Sequence, residues 1–109
     1  MAINKRKQLK NIKKIVRNYA SVLENNGLGV EQVYLYGSYA RGIQRAGSDI
    51  DVCVVLKNFN PNKDQDRFLL WNKVCEVDYR IEPVGFHISD FIEADPLVYE
   101  IKKYGIKIK

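Results

Sequence analysis

Apolar residues along this chain switch between two periods, and the switches mark out its elements. Leu9, Ile12, Val16, Tyr19 and Leu23 recur at three- and four-residue steps. That spacing predicts an amphipathic helix over residues 5–25 with one apolar stripe. Asn25-Asn26-Gly27 ends it, glycine being suited to the left-handed position beyond a helix. From Gln32 to Tyr36 the period changes to two, with Val33 and Leu35 on one side of a strand. Gly37 breaks that strand, and Ser38 is expected to cap a short helix running to about Gly42. Residues 44–48 read as a loop.

A second strand is predicted over residues 49–56. Ile50, Val52, Val54 and Leu56 share one face, and Asp49, Asp51, Cys53 and Val55 share the other. The second face begins polar and turns apolar, so its two acids stand at one end. Residues 58–63, with Pro61, form a loop. A helix follows over 64–75, with Phe68, Leu69, Trp71 and Val74 expected to face the core. Residues 76–86 read as a third strand, in which Val77, Tyr79 and Ile81 alternate with Asp78, Arg80 and Glu82. Ser89 is expected to cap a helical segment, and Pro96 suits the start of a helix through Tyr104. Gly105 stops that helix, and residues 106–108 can add a short strand. The order predicts an α/β (α+β) domain spanning residues 1–109, a small sheet covered by helices.

Composition agrees with one soluble domain. The chain has 109 residues, 46% of them hydrophobic and 28% charged. A chain of this size buries roughly two-thirds of its unfolded surface, enough for one core. No apolar run approaches the roughly 20 residues that span a membrane. The basic N-terminus has no apolar stretch behind it of the kind a signal peptide needs, so a cytoplasmic location is expected. Cys53 and Cys75 are too few for a disulfide framework or a zinc site, and both are expected to be reduced core thiols. His87, the sole histidine, and Trp71 are expected to be structural.

Charge is unevenly placed within a net +5. Residues 1–17 hold seven Lys or Arg and no acid, and residues 102–109 hold four more Lys. Between them, seven basic residues face all 13 acids, a net charge of −6. Such a middle argues against a uniformly basic nucleic-acid binder. The two ends are either solvated or meet an acidic partner or nucleic acid.

The candidate chemistry lies in residues 35–56. Alternate residues on a strand point the same way, about 6.5 to 7 Å apart. Asp49 and Asp51 can therefore converge on a hard divalent cation such as Mg²⁺, which takes few protein carboxylates alongside waters and phosphates. Gly37 lets backbone approach a phosphate closely, and N–H groups at a helix start favour an anion. Ser38 adds a hydroxyl, and Arg41 and Arg45 follow within reach. Asp78 is the third candidate acid, as metal ligand or proton acceptor, with Glu82 as its competitor.

Gly37-Ser38, ten residues, then Asp49-Ile50-Asp51 resembles the signature of the minimal nucleotidyltransferases of the DNA polymerase beta-like superfamily. Tyr39-Ala40-Arg41-Gly42 and the later Val77-Asp78 pair extend the likeness over nearly the whole chain. The resemblance implies a mixed sheet flanked by helices. It also implies metal and catalytic roles for Asp49, Asp51 and Asp78, and nucleotide binding by Gly37 and Ser38, to which the nearby charge of Arg41 adds a candidate phosphate contact. The implied reaction is Mg²⁺-dependent transfer of a nucleoside monophosphate, AMP from ATP, to a hydroxyl. Small family members of this kind pair with a helical HEPN-type protein, often as the antitoxin of a toxin–antitoxin system, which implies a partner tyrosine as acceptor; a homo- or a hetero-oligomer is open. Two alternatives stand beside it: a non-catalytic partner-binding antitoxin, and transfer to a small molecule or RNA end.

Overall fold

The computed structural model describes residues 4–60 and 62–109. The chain runs α1 (Lys5–Asn25), β1 (Val30–Tyr36), α2 (Ser38–Arg41), β2 (Ile50–Leu56), α3 (Asp64–Val74), β3 (Ile81–His87), a 3₁₀ turn (Ile88–Asp90), α4 (Pro96–Tyr104) and β4 (Ile106–Lys107). The four strands form one mixed sheet in the order β3-β2-β1-β4. β1 is antiparallel to both β2 and β4, and β2 is parallel to β3.

The first helix forms as its apolar spacing requires. Asn4 caps it by accepting from the Lys7 N–H, and Ile12, Val16, Tyr19 and Leu23 are buried. They pack with α3 residues Leu70 and Val74 against the Ile50, Val52, Val54 and Leu56 face of β2. The buried Tyr19 hydroxyl donates to the Leu70 carbonyl at 2.6 Å, tying α1 to α3. The opposite face of the sheet holds a smaller cluster, in which Cys53 and Val55 meet Phe91, Val98 and Ile101. The period-two division of β2 thus separates two cores.

The sheet edge is protected by sequence. Ile50 N donates to Arg80 O, and the parallel register pairs Val52 with Pro83. Even-numbered β3 residues therefore bond inward, and the missing N–H of Pro83 falls on the open side. A proline there blunts strand addition.

Several elements depart from their sequence patterns. β1 begins two residues earlier than expected, at Val30. Residues 75–80 do not extend β3. They form turns, with Asp78 N donating to Val74 O and Ile81 N to Asp78 O, so the Val77–Ile81 alternation is not a strand. In α3 only Leu70 and Val74 are fully buried, while Phe68 is 68% and Trp71 51% exposed. The helix lies over the edge strand β3 and beside α1, so a narrow i, i+4 stripe suffices to seat it. Cys53 is buried and its thiol is pushed up to about 12 by burial, but Cys75 is exposed rather than a core thiol. Among the described residues no helix is long and apolar enough to cross a membrane.

Candidate active site

The site forms where β1 ends and β2 begins. Tyr36, the last residue of β1, pairs with Asp51 in the antiparallel register. The chain then turns through Gly37 at φ 75° and ψ −149°, a conformation few other residues adopt. Gly37, not Ser38, occupies the cap position of α2, and Ser38 is its first residue. The turn brings Gly37 directly against a carboxylate. A Cβ placed on it would overlap Asp51 Oδ2, with Asp51 Cγ at 3.0 Å and Cβ at 3.3 Å. The glycine and the acid are separated by 13 residues in sequence, yet the structure leaves no room for even a methyl group between them.

Register decides which acid joins Asp51. In the parallel β2–β3 pair, Asp51 lies beside Glu82. Asp49 stands one residue before β2 and is exposed. Burial first, then the charges of Glu82, Asp49 and Glu100, push the Asp51 carboxyl up to about 6. Burial and the Asp51 charge likewise push the Tyr36 phenol up to about 12. Glu100 comes from α4 and had no place in the sequence pattern. Helix α4 covers the same sheet face as Asp51, a relation visible only after folding.

Asp78 is not part of this group. It sits in the turn before β3, where its Oδ1 accepts from Arg80 N at 2.9 Å and Arg80 Nε at 3.1 Å, and its Oδ2 accepts from Arg80 Nη2 at 2.8 Å. The Arg80 hydrogen bonds hold its carboxyl below the usual range. Its oxygens are committed to that guanidinium, and the acid that the register sets beside Asp51 is Glu82, not the expected Asp78. The reason is geometric: the strand begins at Ile81, five residues later than its alternation suggests.

Arg41 ends α2 with its guanidinium 4.7 Å from the Tyr104 ring centroid, a cation–π contact that ties α2 to α4. It also lines a cavity of about 380 Å³ together with Lys5, Arg6, Leu9, Tyr39 and Gln44. The cavity lies between α1 and α2, not over the carboxylates. Gln44 is 8% exposed and donates from Nε2 to Gln8 Oε1 at 2.8 Å, leaving its own Oε1 buried without a partner. Nothing in the local sequence marks this glutamine. His87 lies at the end of β3, where its Nδ1 accepts from the Ser89 N–H at 3.1 Å and meets Ser89 Oγ at 2.7 Å.

The donor set fits a hard cation by chemistry, since Asp49, Asp51 and Glu82 offer only oxygen. It is not an all-protein cage. Among the described residues no three His, Cys, Asp or Glu side chains converge closely enough to enclose a metal ion. The arrangement suits an ion that completes its shell with water and phosphate oxygens, as Mg²⁺ does.

With this geometry in place, the chain belongs to the nucleotidyltransferase domain family, whose pattern matches residues 7–108. A provisionally named protein adenylyltransferase of Methanocaldococcus jannaschii is 44% identical over 48 residues, which cover 44% of this chain and 55% of that protein. The aligned stretch thus spans about half the length of that relative. A provisionally named nucleotidyltransferase from Sulfolobus solfataricus has a TM-score of 0.59 at 25% identity, covering 94% of this chain and 80% of that one. A toxin–antitoxin complex crystallised with AMP-PNP has a TM-score of 0.65 over 89% of this chain and 72% of that one, at 21% identity. The MntA-HpeT toxin–antitoxin complex gives 0.64 over 85% and 71%, at 20% identity. The last two likenesses are of fold.

Proposed function

We propose that this protein transfers AMP from ATP to a hydroxyl group, with a tyrosine of a helical HEPN-type toxin as acceptor, and so acts as the antitoxin of a toxin–antitoxin pair. The observation that carries the reading is Gly37 seated without clearance against Asp51. It brings a phosphate-cradling turn and a cation-binding carboxylate into one site, the combination that a metal-bound triphosphate requires. Family membership and the adenylyltransferase relative support the reaction class. The toxin–antitoxin neighbours support the setting, one of them by its bound AMP-PNP.

In this reading Gly37 and Ser38 hold the triphosphate and Arg41 offsets its charge. Asp49, Asp51 and Glu82 hold Mg²⁺, which when bound neutralises phosphate charge and orients the reacting oxygens. The acceptor hydroxyl oxygen bonds to the α-phosphorus, the bond to the β-phosphate breaks, and pyrophosphate departs. The exposed Glu82 carboxylate receives the hydroxyl proton. Most of the acceleration comes from positioning and electrostatics, as in other phosphoryl transfers.

A second reading, a partner-binding module without catalysis, is favoured by one feature: α3 presents Phe68 and Trp71 to solvent, a surface suited to protein contact. One experiment separates the two. The chain, its co-purifying partner, Mg²⁺ and α-labelled ATP are incubated together, and the label is followed. Label on the partner that disappears in Asp49→Asn supports transfer. Unlabelled partner that still binds the Asp49→Asn variant supports the module.

A further inference from the structure

We propose that the exposed face of α1 is a docking surface for the sugar–phosphate backbone of RNA. Lys7, Lys10, Asn11, Lys14, Arg17 and Asn18 are all exposed. At 100° per residue they fall within an arc of about 120°, and the four cations span about 15 Å of helix. The apolar stripe of the same helix is spent in the core, with Ile12, Val16, Tyr19 and Leu23 all at 2% exposure or less. No acid of the chain answers these cations: among the described residues, none of the four is in an ion pair. Although the middle of the sequence is acidic, none of its carboxylates pairs with these cations among the described residues, and Glu24, the acid of the same helix, is taken by Lys109 at 2.9 Å.

Local stability does not explain the pattern. The first turn of α1 contains no acid, and Lys7 stands where the helix dipole disfavours positive charge, whereas Lys5 beside it is used in the fold through its bond to the Gly42 carbonyl at 2.7 Å. Residues that oppose local preference point to a role outside folding. The character of the face selects the partner. A protein interface relies on buried aromatic or aliphatic anchors, yet α1 contributes none of the large exposed apolar side chains, which lie elsewhere, on α3, α4 and the loops. A membrane would need the apolar face that the core already uses. A row of cations is the footprint of a phosphate backbone. The interleaved amides of Asn11 and Asn18 can both donate to and accept from 2′-hydroxyls, which distinguish RNA from DNA.

The inference is independent of nucleotidyl transfer and is tested without it. A fluorescently labelled 20-nucleotide single-stranded RNA is titrated with the full chain in EDTA, with no ATP, and anisotropy is followed from 50 to 200 mM salt. Four phosphate contacts predict a log–log salt slope of about −3 for a single strand. Lys10→Glu/Lys14→Glu should weaken binding at least about tenfold and bring the slope to about −1.4, the value for two contacts. Lys14→Ala/Arg17→Ala, with a melting curve matching the parent chain, should weaken it in the same direction. Asp51→Asn should leave it unchanged. Absence of binding at 50 mM salt, indifference to both double variants, or equal affinity for DNA of the same sequence overturns the proposal. So does displacement of the RNA by polyglutamate of equal charge, which would mark the face as a site for an acidic protein.

Discussion

At the scale of single residues, the site depends on which carboxylate faces Asp51. Register places Glu82 there and the Arg80 fork holds Asp78 away. Glu82→Gln is therefore expected to lower AMP transfer by about 10²-fold or more, the size of a lost proton acceptor. Asp78→Asn should leave the rate within a few-fold and mainly reduce stability above pH 4, because a depressed carboxylate stabilises the fold only while ionised. Initial rates and thermal melts of both variants check this contrast. Asp51 has the opposite sign. Its carboxyl binds a proton more tightly in the folded chain, with an ordinary value of 3.8 raised to about 6. Stability therefore rises as pH falls from about 6 toward 3.8 and is lost as pH climbs through 6. Asp51→Asn should raise the melting temperature at pH 8 without Mg²⁺ and have little effect at pH 4, while abolishing transfer. A melting series from pH 4 to 8 on both proteins measures it.

At the scale of elements, α3 shows how little of an apolar pattern a helix at the sheet edge needs. Phe68, Leu69, Trp71 and Val74 look like a core stripe in sequence, but Leu70, at 2% exposure, and Val74 do the packing. Gly85 of β3 allows this close approach, since a Cβ there would stand 2.6 Å from Leu70 Cδ1 and 2.7 Å from Phe59 Cζ. Leu70→Ala is expected to cost about 2–5 kcal/mol, whereas Trp71→Ser should change stability by about 1 kcal/mol or less. Urea denaturation of the two variants compares them. The reverse ranking would mean that Trp71 carries the packing of α3.

At the scale of the whole molecule, one small sheet serves two packed faces and a site at one end of β2. The proposed nucleotide contacts come from the β1–α2 turn, β2 and β3, so a bound ligand would fasten three elements at once. Mg²⁺ with ATP at about 100 times its Kd should stabilise the fold by about 2.7 kcal/mol. EDTA or Asp49→Asn should remove most of that gain. A thermal shift titration with and without chelator checks it, and an equal shift in EDTA would show a nucleotide site that does not use the acids. The cationic face of α1 belongs to the same scale. Its charges are scattered through residues 7–17 in sequence and become one surface only because the helix turns its apolar side inward.

What the sequence determined by itself was whatever rests on neighbours along the chain. The α1 stripe, the division of β2 into two faces, the break at Gly37 and the Asp49/Asp51 pair all follow from periods of 3.6 and 2, and each was legible. The element order and the nucleotidyltransferase signature were legible for the same reason, being fixed spacings within a continuous run. Contacts between distant segments were decided by the tertiary structure. Glu82 beside Asp51 depends on strand register, and Gly37 against the same carboxylate depends on how β1 hands over to α2. Glu100 reaches the site only because α4 crosses that face, and Trp71 is exposed because α3 rests on an edge. Alternation of side chains reveals a face but not the residue at which pairing begins. A shift of a few positions was therefore enough to set Glu82, and not Asp78, beside Asp51.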